Sequence, residues 1–198
     1  GNIVIATWVE PGPGLVRDIL ANRSTNGGTT WSGTVKLNRV NPNLNTDPRI
    51  VLSGSTAHVV WWATDFSNGG NDVYYSRSTN NGLIWQAAET ELDNAPAGTR
   101  STLPKLAVSG SSVYVAWQDS RNGFDDIYLN RSSDAGANWL GASVRIDAGT
   151  APGQILAQNP DVAVSGSRVN VVWEDYRDAS VDVYLNVSSD GGQTWLVN

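Results

Sequence analysis

Any catalysis by this chain has to be built from carboxylates, guanidinium groups and hydroxyls, because it holds a single histidine, His58, and no cysteine. One imidazole cannot furnish a multi-histidine metal site, and a Ser–His–Asp triad would have to rest on His58, whose slot in the repeat also takes Tyr114 and Asn170. Thiol chemistry, disulfides and Cys-bound zinc are excluded together. What remains is Asp119 followed two residues later by Arg121, and the same spacing at Asp175 and Arg177. A second group is the slot after three equivalent prolines, occupied by Arg49, Lys105 and Asp161. Three unlike groups in one slot are what a specific ligand site needs, and an arginine there can grip a carboxylate in a fork. Trp62 joins these residues as a candidate on the same face. The acidic segments holding Asp125, Asp126, Asp178 and Asp182 carry the hard oxygen donors that Ca2+ takes, and no other cofactor is expected.

These residues recur at fixed intervals. Four copies of an eight-residue element occur, Ser24 to Trp31, Ser78 to Trp85, Ser132 to Trp139 and Ser188 to Trp195, with tryptophans 54, 54 and 56 residues apart. A period of that length, filled with short strands, predicts an all-β β-propeller built blade by blade. Each unit has an apolar run after Pro48, Pro104 or Pro160, then a Ser-Gly-Ser hairpin turn, as at Ser109 to Ser111. An alternating strand such as Val113 to Trp117 follows, then a polar loop, a third strand such as Asp126 to Leu129, and a fourth near Val144. That is a four-stranded antiparallel blade. The repeats run approximately 1–47, 48–103, 104–159 and 160–198 as one propeller domain or part of one.

The terminal repeats are incomplete. Trp8 aligns with Trp61, Trp117 and Trp173, so the first repeat lacks its inner strand, and the last stops where its outer strand should start. A longer natural chain, or subunits joined head to tail through open edges, is the expected remedy.

The eight-residue elements resemble the Asp box of bacterial-neuraminidase-type repeats, Ser-x-Asp-x-Gly-x-Thr-Trp, which is found in sialidases and secreted sialidase-like propellers. The matching residues are Ser24, Asn26, Gly28 and Trp31; Ser78, Asn80, Gly82 and Trp85; Ser132, Asp134, Gly136 and Trp139; and Ser188, Asp190, Gly192 and Trp195. Asn26 and Asn80 stand where the pattern has Asp, and Ile84 and Asn138 where it has Thr. The resemblance implies a structural role for the box, in the turn between strands three and four, away from the ligand face. It implies that the loops after strand two and the connectors 38–48, 93–104 and 147–160 form that face. Sialidases use three arginines, a Tyr–Glu pair and an acid/base Asp, and that set cannot be placed on this sequence.

Repetition itself argues about role, since catalysis needs one asymmetric constellation whereas a residue present in several blades is architectural. Asp119 and Arg121 recur as Asp175 and Arg177, which predicts an ion pair or turn brace inside each blade. Asp18, Asp72, Asp126 and Asp182 align before strand three, where they are expected to cap turns. His58 aligns with Tyr114 and Asn170 and is read as a packing residue. The sequons at Asn22, Asn130 and Asn186 share one repeat position and count as one signal.

A formal net charge of −6 argues against a nucleic-acid partner, and no apolar stretch is long enough to span a bilayer. The expected function is a non-catalytic extracellular or cell-surface module that binds glycan or protein, or acts as a scaffold that self-associates through incomplete terminal blades. The alternative is a fragment of a sialidase-type glycoside hydrolase.

Overall fold

The computed structural model describes residues 2–14, 16–39, 44–178 and 180–196. All its regular elements are strands, and they fall into four successive antiparallel units. Unit one comprises β1 (Val4–Pro11), β2 (Arg17–Ser24) and β3 (Val35–Lys36). Unit two comprises β4 (Leu44–Ser53), β5 (Thr56–Thr64), β6 (Asn71–Ser78) and β7 (Thr90–Glu91). Unit three repeats it with β8 (Ser101–Ser109), β9 (Ser112–Asp119), β10 (Asp126–Ser132) and β11 (Val144–Arg145). Unit four has β12 (Ala157–Ser165), β13 (Arg168–Asp175) and β14 (Asp182–Ser188). Among the described residues, unit one therefore has no first strand and unit four no fourth. A single parallel pair, Arg17 with Leu44, joins units one and two, and Asn71 with Arg100 makes the equivalent bridge from unit two to unit three.

The first strand of each complete unit starts upstream of its proline, not at it. Pairing slips between Thr46 and Arg49, between Thr102 and Lys105, and between Gln158 and Asp161. The residue before each proline is left-handed, with φ of 53° at Asp47, 54° at Leu103 and 52° at Asn159. Proline lacks a ladder donor, and a bulge is where a strand tolerates it. The prolines mark a bend inside the inner strand.

Alternation along β9 predicts one buried face, yet Val113 through Asp119 are all buried. The reason is that unit three, like unit two, lies between two others. One apolar cluster joins Ile19, Ala21 and Leu37 of unit one to Val59, Trp61, Tyr74 and Trp85 of unit two. A second joins Val60, Val73, Tyr75 and Leu92 to Val113, Val115, Trp117 and Tyr128. A third joins Ala116, Ile127, Leu129 and Ile146 to Val162, Val169, Val171 and Trp173. The pattern is constant: a tryptophan-bearing front face covers the aliphatic back face of the preceding unit.

The Asp box closes the turn after strand three in all four units. The serine hydroxyl donates to the carbonyl or carboxylate oxygen two residues on, for example Ser132 to Asp134 at 2.7 Å. It accepts the glycine N–H, as from Gly136 at 2.9 Å. The same Oδ1 accepts the N–H of the seventh residue at 2.9 Å from Thr30, 2.8 Å from Ile84, 2.8 Å from Asn138 and 2.9 Å from Thr194. An amide oxygen serves as well as a carboxylate, which explains Asn26 and Asn80. Position seven contributes its backbone, which explains Ile84. Gly136 has φ of 79°, and a Cβ there would lie 1.9 Å from the Tyr75 hydroxyl of the preceding unit, so both backbone and space demand glycine.

The packing makes unequal demands on the tryptophans. Trp117 is fully buried, whereas Trp31 is 44% exposed because no unit precedes its own among the described residues. Trp117→Ala should cost about 3–5 kcal/mol in urea denaturation, and Trp31→Ala less than about 0.5 kcal/mol. Equal costs would mean that the units do not stack front to back.

Candidate functional site

The loops after the second strands and the inter-unit connectors gather at one end of the units, opposite the Asp boxes. In the connector 38–48, residues 40–43 lie outside the described set. A cleft on the loop face, with a volume of about 320 Å³, is lined by Arg100, Ser120, Gly123, Phe124, Asp125 and Leu156. It brings the connector before β8, the loop after β9 and the connector before β12 together, in the size range of ligand pockets. Phe124 is 61% exposed, and a bare aromatic beside charged and hydroxyl groups offers an apolar platform with hydrogen-bonding neighbours. Arg100 and Phe124 were not singled out by the sequence, because neither sits in a repeated slot and their proximity depends on the pairing of β8 with β9, which sets Arg100 beside Ser120 and Asp125.

The repeated Asp–Arg pairs are braces within a unit. Arg121 donates from Nε to Asp119 Oδ1 at 2.9 Å and from a terminal nitrogen to Oδ2, while Trp117 Nε1 donates to Oδ2 at 3.0 Å. The guanidinium lies 4.1 Å from the centroid of the Tyr128 ring. Unit four repeats the set, with Arg177 on Asp175, Trp173 Nε1 on Asp175 at 2.9 Å, and Arg177 4.0 Å from the Tyr184 centroid. Burial disfavours ionisation of Asp119, but the hydrogen bonds from Arg121 and Trp117 outweigh it and hold the carboxyl below its usual range. In unit two the indole of Trp61 instead donates to Asn45 on the inner strand, at 2.8 Å.

Arg49, Lys105 and Asp161 occupy equivalent register positions, opposite Val60, Ala116 and Val172. Arg49 is engaged by Asp47 at 2.8 Å, and Asp161 accepts the N–H of Val162 at 2.9 Å. Trp62 packs on the cluster between units two and three.

Several polar residues have roles other than the expected ones. Asp125 binds Arg100 at 3.1 Å and Gln118 at 3.0 Å. Asp126 binds Arg145, Asn122 and the N–H of Gly153. Asp178 accepts the Tyr184 hydroxyl, and Asp182 that of Ser180. These acids are thus partnered individually and make no common Ca2+ loop. Nor are the acids before strand three only turn caps: Asp18 is ion-paired with Lys36 at 2.7 Å and Asp126 with Arg145 at 3.2 Å, both from strand four. The sequon residues Asn130 and Asn186 are buried and donate to Leu92 and Ile146 carbonyls of the preceding units at 3.1 and 2.8 Å. Their amides stitch units together and are closed to glycosylation.

No family model and no curated sequence matches the chain. Solved structures do. A Hadza microbial sialidase superposes with a TM-score of 0.66 at 16% identity, covering 100% of this chain and 44% of its own. An α-L-arabinofuranosidase of Fusarium graminearum, in complex with an iminosugar inhibitor, gives 0.65 at 19% identity over 96% of this chain and 60% of its own. An α-L-arabinanase of Penicillium chrysogenum complexed with arabinobiose gives 0.60 at 15% identity, over 98% and 58%. These are β-propeller glycosidases, and the chain shares their sialidase-like fold. It spans about half the length of the structures it matches, between 44% and 60% of these three.

Two consequences are measurable. Asp119→Ala should cost about 3–5 kcal/mol, since it leaves Arg121 buried without its partner; a neutral change would remove the brace assignment. His58 is fully buried, with Nδ1 2.7 Å from the Tyr75 hydroxyl. Burial, helped by repulsion from Arg77, lowers its pKa from 6.5 to about 4. The unfolded chain takes up that proton first, so His58 adds a slope of its own, a loss of about 3 kcal/mol in all as pH drops from about 6.5 towards 4, against the opposite slopes of the buried Asp93 and Asp147, whose carboxyls are raised to about 7 and about 6. Urea melts of His58→Gln should lack this slope.

Proposed function

We propose that the chain is a non-catalytic extracellular or cell-surface module of a β-propeller, binding glycan on its loop face and associating with a second copy through its end faces. The observation that carries the reading is a matched pair of bare faces. On the back face of unit four, Val183 is 77% exposed and Val181 51%, where the equivalents of Val183, namely Ile19, Val73 and Ile127, are wholly buried by the next unit. On the front face of unit one, Val4 is 39% exposed and Trp31 44%, where Ala57, Val113, Val169 and Trp85 are buried. The back face of one copy and the front face of another are the two halves of the interface used three times inside the chain. Such a head-to-tail contact is heterologous, and it gives a ring if it closes and a filament if it does not.

The glycan part of the proposal is supported by the Phe124 cleft and by the arabinobiose and iminosugar bound to structures of the same fold. The non-catalytic part is supported by the arginines of the loop end. Five of them, Arg49, Arg100, Arg121, Arg145 and Arg177, are each engaged by a carboxylate of the chain itself, which competes with an anionic sugar for those guanidinium groups. The second reading, a fragment of a sialidase-like hydrolase, is favoured by the fold shared with sialidases.

Light scattering of the purified chain should show concentration-dependent association that Val183→Asp abolishes without lowering the unfolding temperature. A chain that stays monomeric throughout would remove the self-association. Glycan-array binding should be lost in Phe124→Ala with the fold intact. Turnover of fluorogenic sialosides or arabinofuranosides by the wild type would replace this reading with the hydrolase.

A further inference from the structure

The four units share a polar slot at the loop end, and unit two fills it differently. The slot is made by the acid opening strand three, the strand-four residue that pairs two positions beyond it, and the residue that follows strand four after one apolar position. In unit one these are Asp18, Lys36 and Asn38: Lys36 is 2.7 Å from Asp18, and Asn38 donates to the same Asp18 oxygen at 3.0 Å. In unit three they are Asp126, Arg145 and Asp147, with Arg145 bridging the acids at 3.2 and 2.8 Å. In unit two they are Asp72, Glu91 and Asp93. Where the neighbouring units place a cation of their own, unit two places a third carboxylate.

The three carboxylates converge. One oxygen from each lies within 4.8 Å of the others, the separation allowed to ligands of one ion at 2.3–2.6 Å, roughly twice that bond length. Asp93 is completely buried; its Oδ1 accepts the N–H of Val73 at 3.3 Å, while its Oδ2 receives no well-formed hydrogen bond among the described residues, the neighbouring Ser101 hydroxyl donating to Asp119 at 2.9 Å. A buried carboxylate oxygen left unpaired costs free energy unless a proton or cation meets it. Asp72 is buried too, and Glu91 is exposed, so the slot has a closed floor and an open mouth. The charges around it do not neutralise it. Arg121 reaches only the backbone carbonyl of Asp93, at 2.9 Å, and its guanidinium is held by Asp119. Asp65 adds further negative charge beside Asp72 and Glu91.

We infer that Asp72, Glu91 and Asp93 form a binding site for a hard divalent cation, Ca2+ by its all-oxygen donor set, which takes the place of Lys36 and Arg145 in the neighbouring units. Because Asp93 also accepts hydrogen bonds through its carbonyl from Arg121 and, at 3.4 Å, Ser143 of unit three, the ion fixes the junction of units two and three. In its absence burial pushes the Asp93 carboxyl up to about 7, with the charges of Asp72 and Glu91 adding to the shift. Without the ion, a proton is the slot's counter-charge.

The test is calorimetric titration of the chelator-treated chain with CaCl2 alone, with thermal melts alongside. The wild type should bind one ion per chain, with a Kd on the order of 10⁻⁴–10⁻³ M, as extracellular modules do. Its unfolding temperature should rise by several degrees at about 10 mM CaCl2. Glu91→Gln should weaken binding at least about tenfold. Glu91→Arg, which copies unit three, should abolish binding and raise the unfolding temperature in chelator. As Glu91 is exposed, both variants keep the fold. The inference is overturned if the wild type binds neither Ca2+ nor Mg2+ and melts identically with and without them. It is equally overturned if Glu91→Arg binds as tightly as the wild type, which would place the ion elsewhere. Neither result depends on glycan binding or self-association.

Discussion

The units of this protein depend on the contact between the tryptophan-bearing front of one and the aliphatic back of the unit before it. Trp61, Trp117 and Trp173 are all buried at such contacts, and each fully buried aromatic contributes on the order of 2–3 kcal/mol of transfer free energy. No unit could bury both faces of its central strands alone, so the units stand or fall with their neighbours, as in other repeat proteins. Directional bonds then set the spacing. Arg77 reaches the carbonyl of Ala135 at 2.7 Å and Tyr114 that of Gly191 at 3.2 Å, each joining one unit to the Asp box of the next.

That dry contact also dictates the polar chemistry. A buried indole N–H and a buried carboxylate each need a partner, and Asp119 with Arg121 and Trp117 satisfies both at once. The Asp box plays a parallel part at the opposite end, where Asp134 and Asp190 collect backbone N–H groups and are held well below the usual carboxylate range. The two ends are thus chemically distinct: one is occupied by turn cages, the other by braces, connectors and the Phe124 cleft.

Since the units are four variations on one plan, each serves as a control for the others. Lys36, Glu91 and Arg145 hold the same register position, and only the comparison reveals that unit two lacks a cation of its own. Val187 likewise stands where Arg23, Arg77 and Arg131 stand in the earlier units. The back of unit four therefore differs in its polar latch as well as in its exposure.

Strand order and the Asp-box turns were legible in the sequence, because period and turn chemistry are local properties repeated four times. Ser24 to Trp31 and its copies state the turn by residue type alone, since a short hydroxyl, a short acceptor and a left-handed glycine admit few geometries. The bulge at Pro48, Pro104 and Pro160 was not legible, for it arises from pairing with a neighbouring strand. Asp126 read as a cap and Asn130 as a sequon until packing brought Arg145 and Leu92 to them. The convergence of Asp72, Glu91 and Asp93, and the cleft around Phe124, belong wholly to the tertiary structure. Residues up to 56 positions apart, from Arg100 to Leu156, meet there because strands and units fold side by side, and no local preference encodes that distance.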